Sequence, residues 1–199
     1  VSFSTAGDNG NTRFSLTNLD NDDISPNSTL DRNSIGINTS QNVGKNIRID
    51  ANLKYLLEDQ SGNPRLSDGP GNANWIINHT SPSVDVNWGK GPNGDGRNDD
   101  LSEFQMTPSI YIQNPWFAQN YYVNDSEKER FIGSINMRWD LTDWLYARAR
   151  VGADRYDLHR TQSEPFGTGY KPKGGINHYK LAFKQFDSDF FLGTDNLSL

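Results

Sequence analysis

The sequence of 199 residues contains no cysteine, which excludes disulfides and thiolate metal sites together. It also lacks long hydrophobic runs, since no window approaches the roughly 18 apolar residues that a transmembrane helix needs. No basic start followed by an apolar run opens it, so we expect a secretory signal to be removed or to lie outside this sequence. A membrane protein of this composition would have to cross with β-strands, which alternate apolar and polar residues.

Apolar residues are scarce as well, at 33% of the chain, whereas soluble domains have about 45–50% when glycine is counted. Low hydrophobicity with a net charge of −6 is typical of disorder, but disordered chains are depleted in aromatic residues. This chain has five Trp, eight Tyr and ten Phe, which argues against disorder. Its basic residues are scattered singly among a larger number of acidic ones, so the charge pattern predicts no nucleic-acid partner.

Residue types alternate with period two in three long segments, 46–58, 131–141 and 145–154, as in a strand with two different faces. About eleven alternating residues match the 9–11 that a tilted strand needs to cross a bilayer. We predict that one face of these strands is turned outward to lipid. The apolar residues of that face are Ile47, Ile49, Ala51, Leu53, Tyr55, Leu57, Phe131, Gly133, Ile135, Met137, Trp139, Leu141, Leu145, Ala147, Ala149, Val151 and Ala153.

Shorter alternating pieces predict four further strands, and the one at 178–193 is expected to carry a bulge near Lys184, because its apolar phase slips. Connections of two lengths separate the strands. The predicted short turns are 7–11, 40–45, 141–144 and 193–196. The predicted long loops are about 18–33, 59–129 and 157–177, with one helical turn at Ala73–His79. Strict alternation of short turns and long loops is typical of outer-membrane barrels.

The sequence therefore predicts an all-β fold in one domain over residues 1–199. It would comprise about seven strands of a larger transmembrane antiparallel β-barrel, with a long extracellular loop at about 59–129. Seven strands cannot close even an eight-stranded barrel, and an open edge in lipid costs several kcal/mol for each unpaired backbone group. We accordingly expect this stretch to be part of a longer chain in the bacterial outer membrane.

Six segments keep the order and spacing found in a known family. They are TRFSL at 12–16, ISPNS at 24–28, DRNSIGIN at 31–38, NPW at 114–116, RFIGS at 130–134 and DLTDWL at 140–145. Together they resemble the early barrel of the SusC/RagA class of TonB-linked transporters. The resemblance implies a barrel of about 22 strands, an N-terminal plug, energy from TonB, a SusD-like surface lipoprotein as lid, and oligosaccharides or peptides as substrates. Neither a plug nor a TonB-contacting segment is recognisable in this sequence.

Charged residues mark the opposite, polar face of the strands. Their functional interpretation is a lumen lining that meets the solute or the plug, and the alternative is cross-strand pairing that only keeps a hydrated wall satisfied. The residues concerned are Arg48, Asp50, Lys54, Arg138, Asp140, Arg148, Arg150 and Asp154.

Aromatic residues fall into two groups. Tyr55, Phe131 and Trp139 lie near strand ends on the apolar face, where an interfacial girdle is expected. The others lie in the long loop, where they would stack on sugar rings, pack on the lid, or fold the loop on itself. These candidates for lid or ligand contact are Trp75, Trp88, Trp116, Phe117, Tyr121 and Tyr122.

No catalytic or cofactor-binding pattern emerges. The segment 93–100 is rich in oxygen ligands, but Arg97 occupies a position where a calcium loop needs oxygen. The three histidines, His79, His159 and His178, lack the spacing of a zinc site or a catalytic triad. We therefore expect no enzyme activity, no cofactor and no metal.

The functional expectation is the wall of a TonB-dependent importer that supplies a hydrated path for nutrient uptake. A soluble all-β carbohydrate-binding or adhesion module is the alternative, and an outer-membrane enzyme has no supporting residues. The two main candidates differ in what covers the long strand at 46–58. A soluble sandwich would pack Ile47, Ile49 and Leu53 against a second sheet, whereas a barrel would leave them to lipid.

Overall fold

The computed structural model describes residues 1–195. Seven strands form one antiparallel sheet in which the spatial order follows the sequence order. The strands are β1 (Ser2–Gly7), β2 (Gly10–Asp22), β3 (Thr29–Val43), β4 (Ile47–Ser61), β5 (Val123–Asp140), β6 (Leu145–Glu164) and β7 (Gly175–Thr194). This meander confirms the predicted all-β class and the number of strands. The sheet is open in the described residues, with β1 and β7 at its edges.

The strand register places the alternating apolar residues on a single face. Ile47 of β4 lies opposite Trp139 of β5, which lies opposite Ala147 of β6. Leu53 lies between Ile37 of β3 and Gly133 of β5. We call this side of the sheet the apolar face and the other side the polar face. Because successive side chains of a strand point to opposite sides, the register fixes the face of every strand residue.

A belt without charges crosses the apolar face. In the rows from Ile47 to Leu53, none of the strand residues on this face is charged. The six residue steps from Ile47 to Leu53 cover roughly 20 Å of strand, or roughly 14 Å for a strand tilted by 45°. The charge-free belt is therefore somewhat more than half as high as the apolar band of about 25 Å on outer-membrane barrels.

The connections alternate in length as predicted. Residues 8–9, 44–46 and 141–144 form short turns at one end of the sheet, and residues 23–28, 62–122 and 165–174 form longer loops at the other. The loops are shorter than predicted because the strands continue past the belt. There both faces are polar, as in the Asn18–Asn33 side-chain pair at 2.9 Å, so no apolar alternation reveals the strand. The first two residues of the predicted turn at 193–196 belong instead to β7, which continues to Thr194, and the last one lies outside the described residues.

The predicted bulge near Lys184 is wrong. Strands β6 and β7 pair without interruption from Leu145 opposite Thr194 to Glu164 opposite Gly175. The apolar phase slips for another reason, because one end of β7 carries apolar residues on the polar face. There the ring of Phe183 stacks on Tyr156 of β6, with centroids 5.1 Å apart.

The loop at 62–122 has a small core of its own. It contains helix α1 (Ala73–His79), as predicted, and also a 3₁₀ turn (Val86–Lys90) and helix α2 (Pro115–Tyr121), which were not predicted. The buried apolar side chains of residues 1–195 all belong to this loop and are Ile76, Phe117, Ala118 and Tyr122. None of the described helices has the length and apolar character required to span a membrane.

Candidate functional site

The register brings the eight predicted lumen residues to one side of the sheet, the polar face. Arg48 of β4 lies opposite Arg138 of β5, which lies opposite Arg148 of β6. Asp50 and Arg150 flank Asn136 in the next row. Lys54, Asp140 and Asp154 share the same face. That this face lines a lumen stays a prediction.

Some of these residues form ion pairs, as the pairing interpretation requires. The Arg130 guanidinium contacts the Asp154 carboxylate at 2.6 Å across two strands. Arg48 contacts Asp50 at 3.2 Å, and Arg138 contacts Asp140 at 2.8 Å.

Other polar-face cations have no such partner. Although Arg138 also contacts Asp195, neither Arg148 nor Arg150 forms an ion pair within residues 1–195. Ion pairs, two of them within a single strand, therefore account for part of the charge on this face and leave Arg148 and Arg150 without an ion pair in residues 1–195.

The two faces of the sheet carry opposite charge excesses. The polar face has ten basic and seven acidic residues, while the apolar face has three basic and eight acidic ones. On the polar face these are Arg13, Arg32, Arg48, Lys54, Lys128, Arg130, Arg138, Arg148, Arg150 and Arg160, with Asp50, Glu58, Asp140, Asp154, Glu164, Asp187 and Asp189. On the apolar face they are Arg155, Lys180 and Lys184, with Asp20, Asp22, Asp31, Asp59, Asp125, Glu127, Glu129 and Asp157.

The charges of the apolar face all lie beyond the belt, on the side of the long loops. Asp59 of β4 lies opposite Glu127 of β5, two rows past the pair of Tyr55 and Phe131. The belt is therefore bounded by a charged zone at its long-loop end. Tyr55 and Phe131 lie at this boundary and Trp139 at the other end, opposite Ile47, as the girdle prediction requires.

A groove runs along the sheet at its short-turn end. Its volume is about 690 Å³, and its lining residues include Asn42, Lys45, Arg48, Asn136, Arg138 and Arg148. Basic side chains dominate the charged part of this lining, although Asp50 and Asp140 also contribute. The lining thus carries four basic residues against two acidic ones.

An aromatic pair on the polar face was not foreseen from the sequence. Tyr156 and Phe183 stack with an interplanar angle of 20°. The Lys128 ammonium lies 5.4 Å and the Arg130 guanidinium carbon 5.8 Å from the Tyr156 ring centroid, so two cations accompany the stack. The alternation signal missed it because aromatic residues on that face were interpreted as a slip in phase.

The candidate aromatic residues of the long loop divide between its core and its surface. Phe117 is completely buried and Tyr122 nearly so, while Trp116 donates from its indole Nε1 to the Val86 carbonyl oxygen at 2.9 Å. These three rings fold the loop on itself, one of the alternatives that the sequence left open.

The other three loop aromatics are arranged differently. Tyr121 donates to the Asp95 carboxylate, and Trp75 stacks on His79 with centroids 4.1 Å apart. Trp88 is 54% exposed. Contact of the six loop aromatics with a lid or a ligand stays a prediction, and Trp88 has the free surface it would need.

Asn114 organises the long loop from its centre. Its side chain is buried, donates to the carbonyl oxygens of Gly89 at 2.5 Å and Phe104 at 2.8 Å, and accepts from the Trp116 amide at 2.8 Å. It thereby caps helix α2, which begins at Pro115, a residue that is favourable in the first helical turn. The Asn-Pro pair is a helix-start signal that sequence reasoning had available and did not use.

Glu103 joins the long loop to the loop at 165–174. Its carboxylate accepts from the backbone amides of Asn114 at 2.6 Å and Gly169 at 2.9 Å, and from the Thr168 hydroxyl at 3.2 Å. The Tyr122 and Thr168 hydroxyls are also hydrogen-bonded, at 2.8 Å. We call residues 62–122 and 165–174, joined in this way, the loop unit.

Burial raises the pKa of the Glu103 carboxyl above its ordinary value, and the hydrogen bonds from Gly169, Asn114 and Thr168 oppose this only in part. Burial likewise raises the pKa of the Tyr122 hydroxyl, which therefore stays neutral at physiological pH. The contact between the two loops thus depends on a desolvated carboxyl group that is fully hydrogen-bonded. No sequence signal singled out Glu103.

The oxygen-rich segment at 93–100 is occupied by internal contacts. Asp95 accepts from the Arg97 guanidinium at 2.8 Å, and Asp100 accepts from the Ser102 amide at 3.0 Å. Across residues 1–195, no three His, Asp or Glu side chains are placed to hold a metal ion together.

Comparison with known proteins supports the fold. No family model and no curated protein matches the chain. Among solved structures, it is similar to the ferric-catecholate import receptor Fiu from E. coli K12 in its open form, with 13% identity and a TM-score of 0.51. The match covers 96% of this chain and 30% of the Fiu chain, so this chain spans less than a third of that receptor. The similarity shows a fold shared with part of that receptor's chain and, at this identity, shows no family.

Proposed function

We propose that this chain is barrel wall of a TonB-dependent outer-membrane importer of the SusC/RagA kind, which takes up oligosaccharides or peptides beneath a SusD-like lipoprotein lid. The observation that carries the proposal is the charge-free belt on one face of a seven-stranded meander, backed by a charged polar face. Lipid would cover the belt, and the polar face would line the hydrated path. The proposal assigns no catalytic step to these residues.

Two further observations support it. All loops of more than four residues lie at one end of the sheet, as extracellular loops do in such barrels. The similarity to part of the Fiu chain supplies a precedent, because that protein is an import receptor.

The soluble-module alternative fits the structure less well. A β-sandwich buries its apolar strand faces against a second sheet about 10 Å away. The described residues form only one sheet, and large apolar side chains of its apolar face, such as Ile135 and Phe186, are 50% and 70% exposed. This arrangement favours a lipid environment over a sandwich core.

The lid would dock on exposed apolar side chains of the loop unit. Trp88, Leu101, Tyr111 and Phe166 are each more than half exposed, although the loop unit buries Phe117 completely and Tyr122 almost completely. A wet surface with this many apolar side chains is typical of a protein-binding site.

Import by this mechanism is tested in cells that carry the full-length protein. Uptake of the oligosaccharide or peptide that supports growth should stop when TonB is deleted, because TonB supplies the energy. Uptake that continues at the original rate without TonB would contradict the importer assignment.

Lid docking is tested by co-purification. Replacement of Trp88 and Tyr111 by Ala should reduce the surface lipoprotein that co-purifies with the full-length protein, while the amount inserted in the membrane stays constant. Replacement of the exposed Ile24 by Ala, outside the loop unit, is the matched control. Unchanged co-purification in the double variant would remove the lid from the proposal.

A further inference from the structure

The polar face of the sheet carries an excess of positive charge, although the chain as a whole is negatively charged. The net charge is −6, yet the polar face of the sheet has ten basic residues against seven acidic ones. The apolar face, beyond its belt, has eight acidic residues against three basic ones. A face that needed only hydration would be served by uncharged polar side chains. The excess of positive charge therefore requires an explanation specific to the polar face.

The excess is densest near the short turns. Arg48, Arg138 and Arg148 lie directly opposite one another on three adjacent strands. Like charges in this position destabilise a sheet. Asp50 and Asp140 offset the first two arginines, but Arg148 has no ion pair in the described part of the chain. The basic groove of about 690 Å³ lies along this row.

Arg150 adds to the positive charge of the row. It lies on the same face, two residues from Arg148 and directly opposite Asp189 of β7, although these two side chains form no ion pair within residues 1–195. Guanidinium groups bind carboxylates through two parallel hydrogen bonds, and adjacent arginines offer several such donors at once. A cleft lined by one sign of charge also concentrates solutes of the opposite sign.

We propose that the polar face selects anionic solutes and that the row of Arg48, Arg138 and Arg148, together with Arg150, binds their carboxylate groups. This inference rests on the proposed function and narrows it, since the imported oligosaccharides or peptides would be acidic ones. An acidic sugar and an acidic peptide present the same carboxylate chemistry to this row.

The local potential is measured with a single thiol on the polar face of the full-length protein in lipid bilayers. Ser134 lies on this face between Asn52 and Gly152, and the 199 residues contain no cysteine. Any cysteine elsewhere in the full-length protein is first replaced by serine. The Ser134→Cys variant is treated with an anionic and a cationic methanethiosulfonate, and the ratio of the two rates is compared with that of a free thiol in solution. The anionic reagent should be favoured at Ser134→Cys.

Neutralisation of two of these four arginines provides the decisive comparison. Arg148→Gln with Arg150→Gln should lower the anion-to-cation rate ratio roughly three- to tenfold at low ionic strength, and less in high salt. Arg155→Gln with Lys184→Gln removes the same charge from the opposite face and is the matched control, because these two residues lie opposite each other on the apolar face. The control should leave the ratio nearly unchanged.

Protection experiments distinguish an acidic oligosaccharide from an acidic peptide as the ligand. Hexagalacturonate and hexaglutamate are each tested for slowing the reaction of the Ser134→Cys thiol, with neutral maltohexaose as reference. Protection by one acidic oligomer identifies its class as the substrate. Protection by neither would overturn the binding claim.

Three outcomes of the thiol experiments would overturn anion selection. They are a rate ratio at or below that of the free thiol, an unchanged ratio after neutralisation, and a thiol that neither reagent reaches. These measurements need neither TonB nor a lid. Their failure would leave the importer proposal intact, and loss of the importer proposal would leave the measured potential intact.

Discussion

In the seven-stranded sheet the large apolar side chains are exposed, whereas in the loop unit they are buried. Ile135 and Phe186 of the sheet are 50% and 70% exposed, while Phe117 of the loop unit is completely covered. The sheet derives its order from backbone pairing along seven strands, and the loop unit from a small core joined by buried hydrogen bonds. The comparison shows that the sheet is ordered without a core of its own, as expected if lipid covers its apolar face in the way proposed above.

Removal of the Phe117 ring from the core of the loop unit should destabilise that unit more than any other change considered below. Phe117→Ala leaves a cavity in the loop unit and should cost it about 3–5 kcal/mol. Hydrogen exchange of the loop amides in the full-length protein would rise, while the strand amides stay protected. Trp88→Ala is the control, because this ring is 54% exposed and its loss should change loop exchange little. Equal exchange in both variants would show that the loop has no cooperative core.

Glu103→Gln should have the next largest effect. The amide NH₂ cannot accept the hydrogen bond that a carboxylate oxygen accepts, so one buried donor of Asn114 or Gly169 loses its partner, at a cost of about 1–3 kcal/mol. Protease cleavage within residues 165–174 should become faster in the variant. Cleavage at the wild-type rate would mean that Glu103 does not hold the two loops together.

The pH dependence of the loop unit follows from the same carboxyl group. Because the pKa of Glu103 is raised in the folded state, its contribution to stability is full below the ordinary pKa of 4.5 and is lost as pH rises through the folded-state value. Loop amide exchange, corrected for its intrinsic pH dependence, should therefore show a more stable loop unit on mild acidification. The Glu103→Gln variant should lack this gain, and an identical gain in the variant would assign it to another group.

Loss of the Arg65 side chain, which anchors the loop unit to the sheet, should lower the stability of the loop unit least among these changes. Arg65 contacts Glu164 of β6 at 3.0 Å and donates to the Ser163 carbonyl oxygen at 3.2 Å. Arg65→Ala leaves Glu164 with a second cation, Lys171 at 3.0 Å, so no buried charge is stranded. We expect a loss of about 1 kcal/mol, measured by exchange of the loop amides nearest β6. A loss as large as that of Phe117→Ala would make this anchor the main support of the loop unit.

The sheet was largely predictable from the sequence, and the reason is physical. In the proposed barrel wall one face of the belt would meet lipid and the other water, which explains why Ile47, Ile49 and Leu53 alternate with polar residues and reveal both the strand and its faces. Beyond the belt both faces would meet water, and rows such as Asp20 opposite Asp31 have no alternation. The strand ends were therefore placed too early.

The loop unit was much less predictable. Its contacts join residues far apart in the chain, such as Glu103 with Gly169, and no local pattern encodes them. The faces of Arg148 and Arg150 could be predicted from alternation, but their cross-strand neighbours could not. The register places Arg148 between Arg138 and Phe191, and it places Arg150 opposite Asp189. Local periodicity thus determines the face of a residue, and register determines its partners.

The central claim is that the apolar face of the sheet is covered by lipid. Leu53 lies on that face between Ile37 and Gly133, and Asn52 next to it lies on the polar face. The most direct test compares Leu53→Arg with Asn52→Arg by reversible folding of the full-length protein into lipid bilayers. The account predicts that Leu53→Arg costs about 2–4 kcal/mol of folding free energy and Asn52→Arg much less. Equal costs for the two variants, or the larger cost for Asn52→Arg, would contradict it.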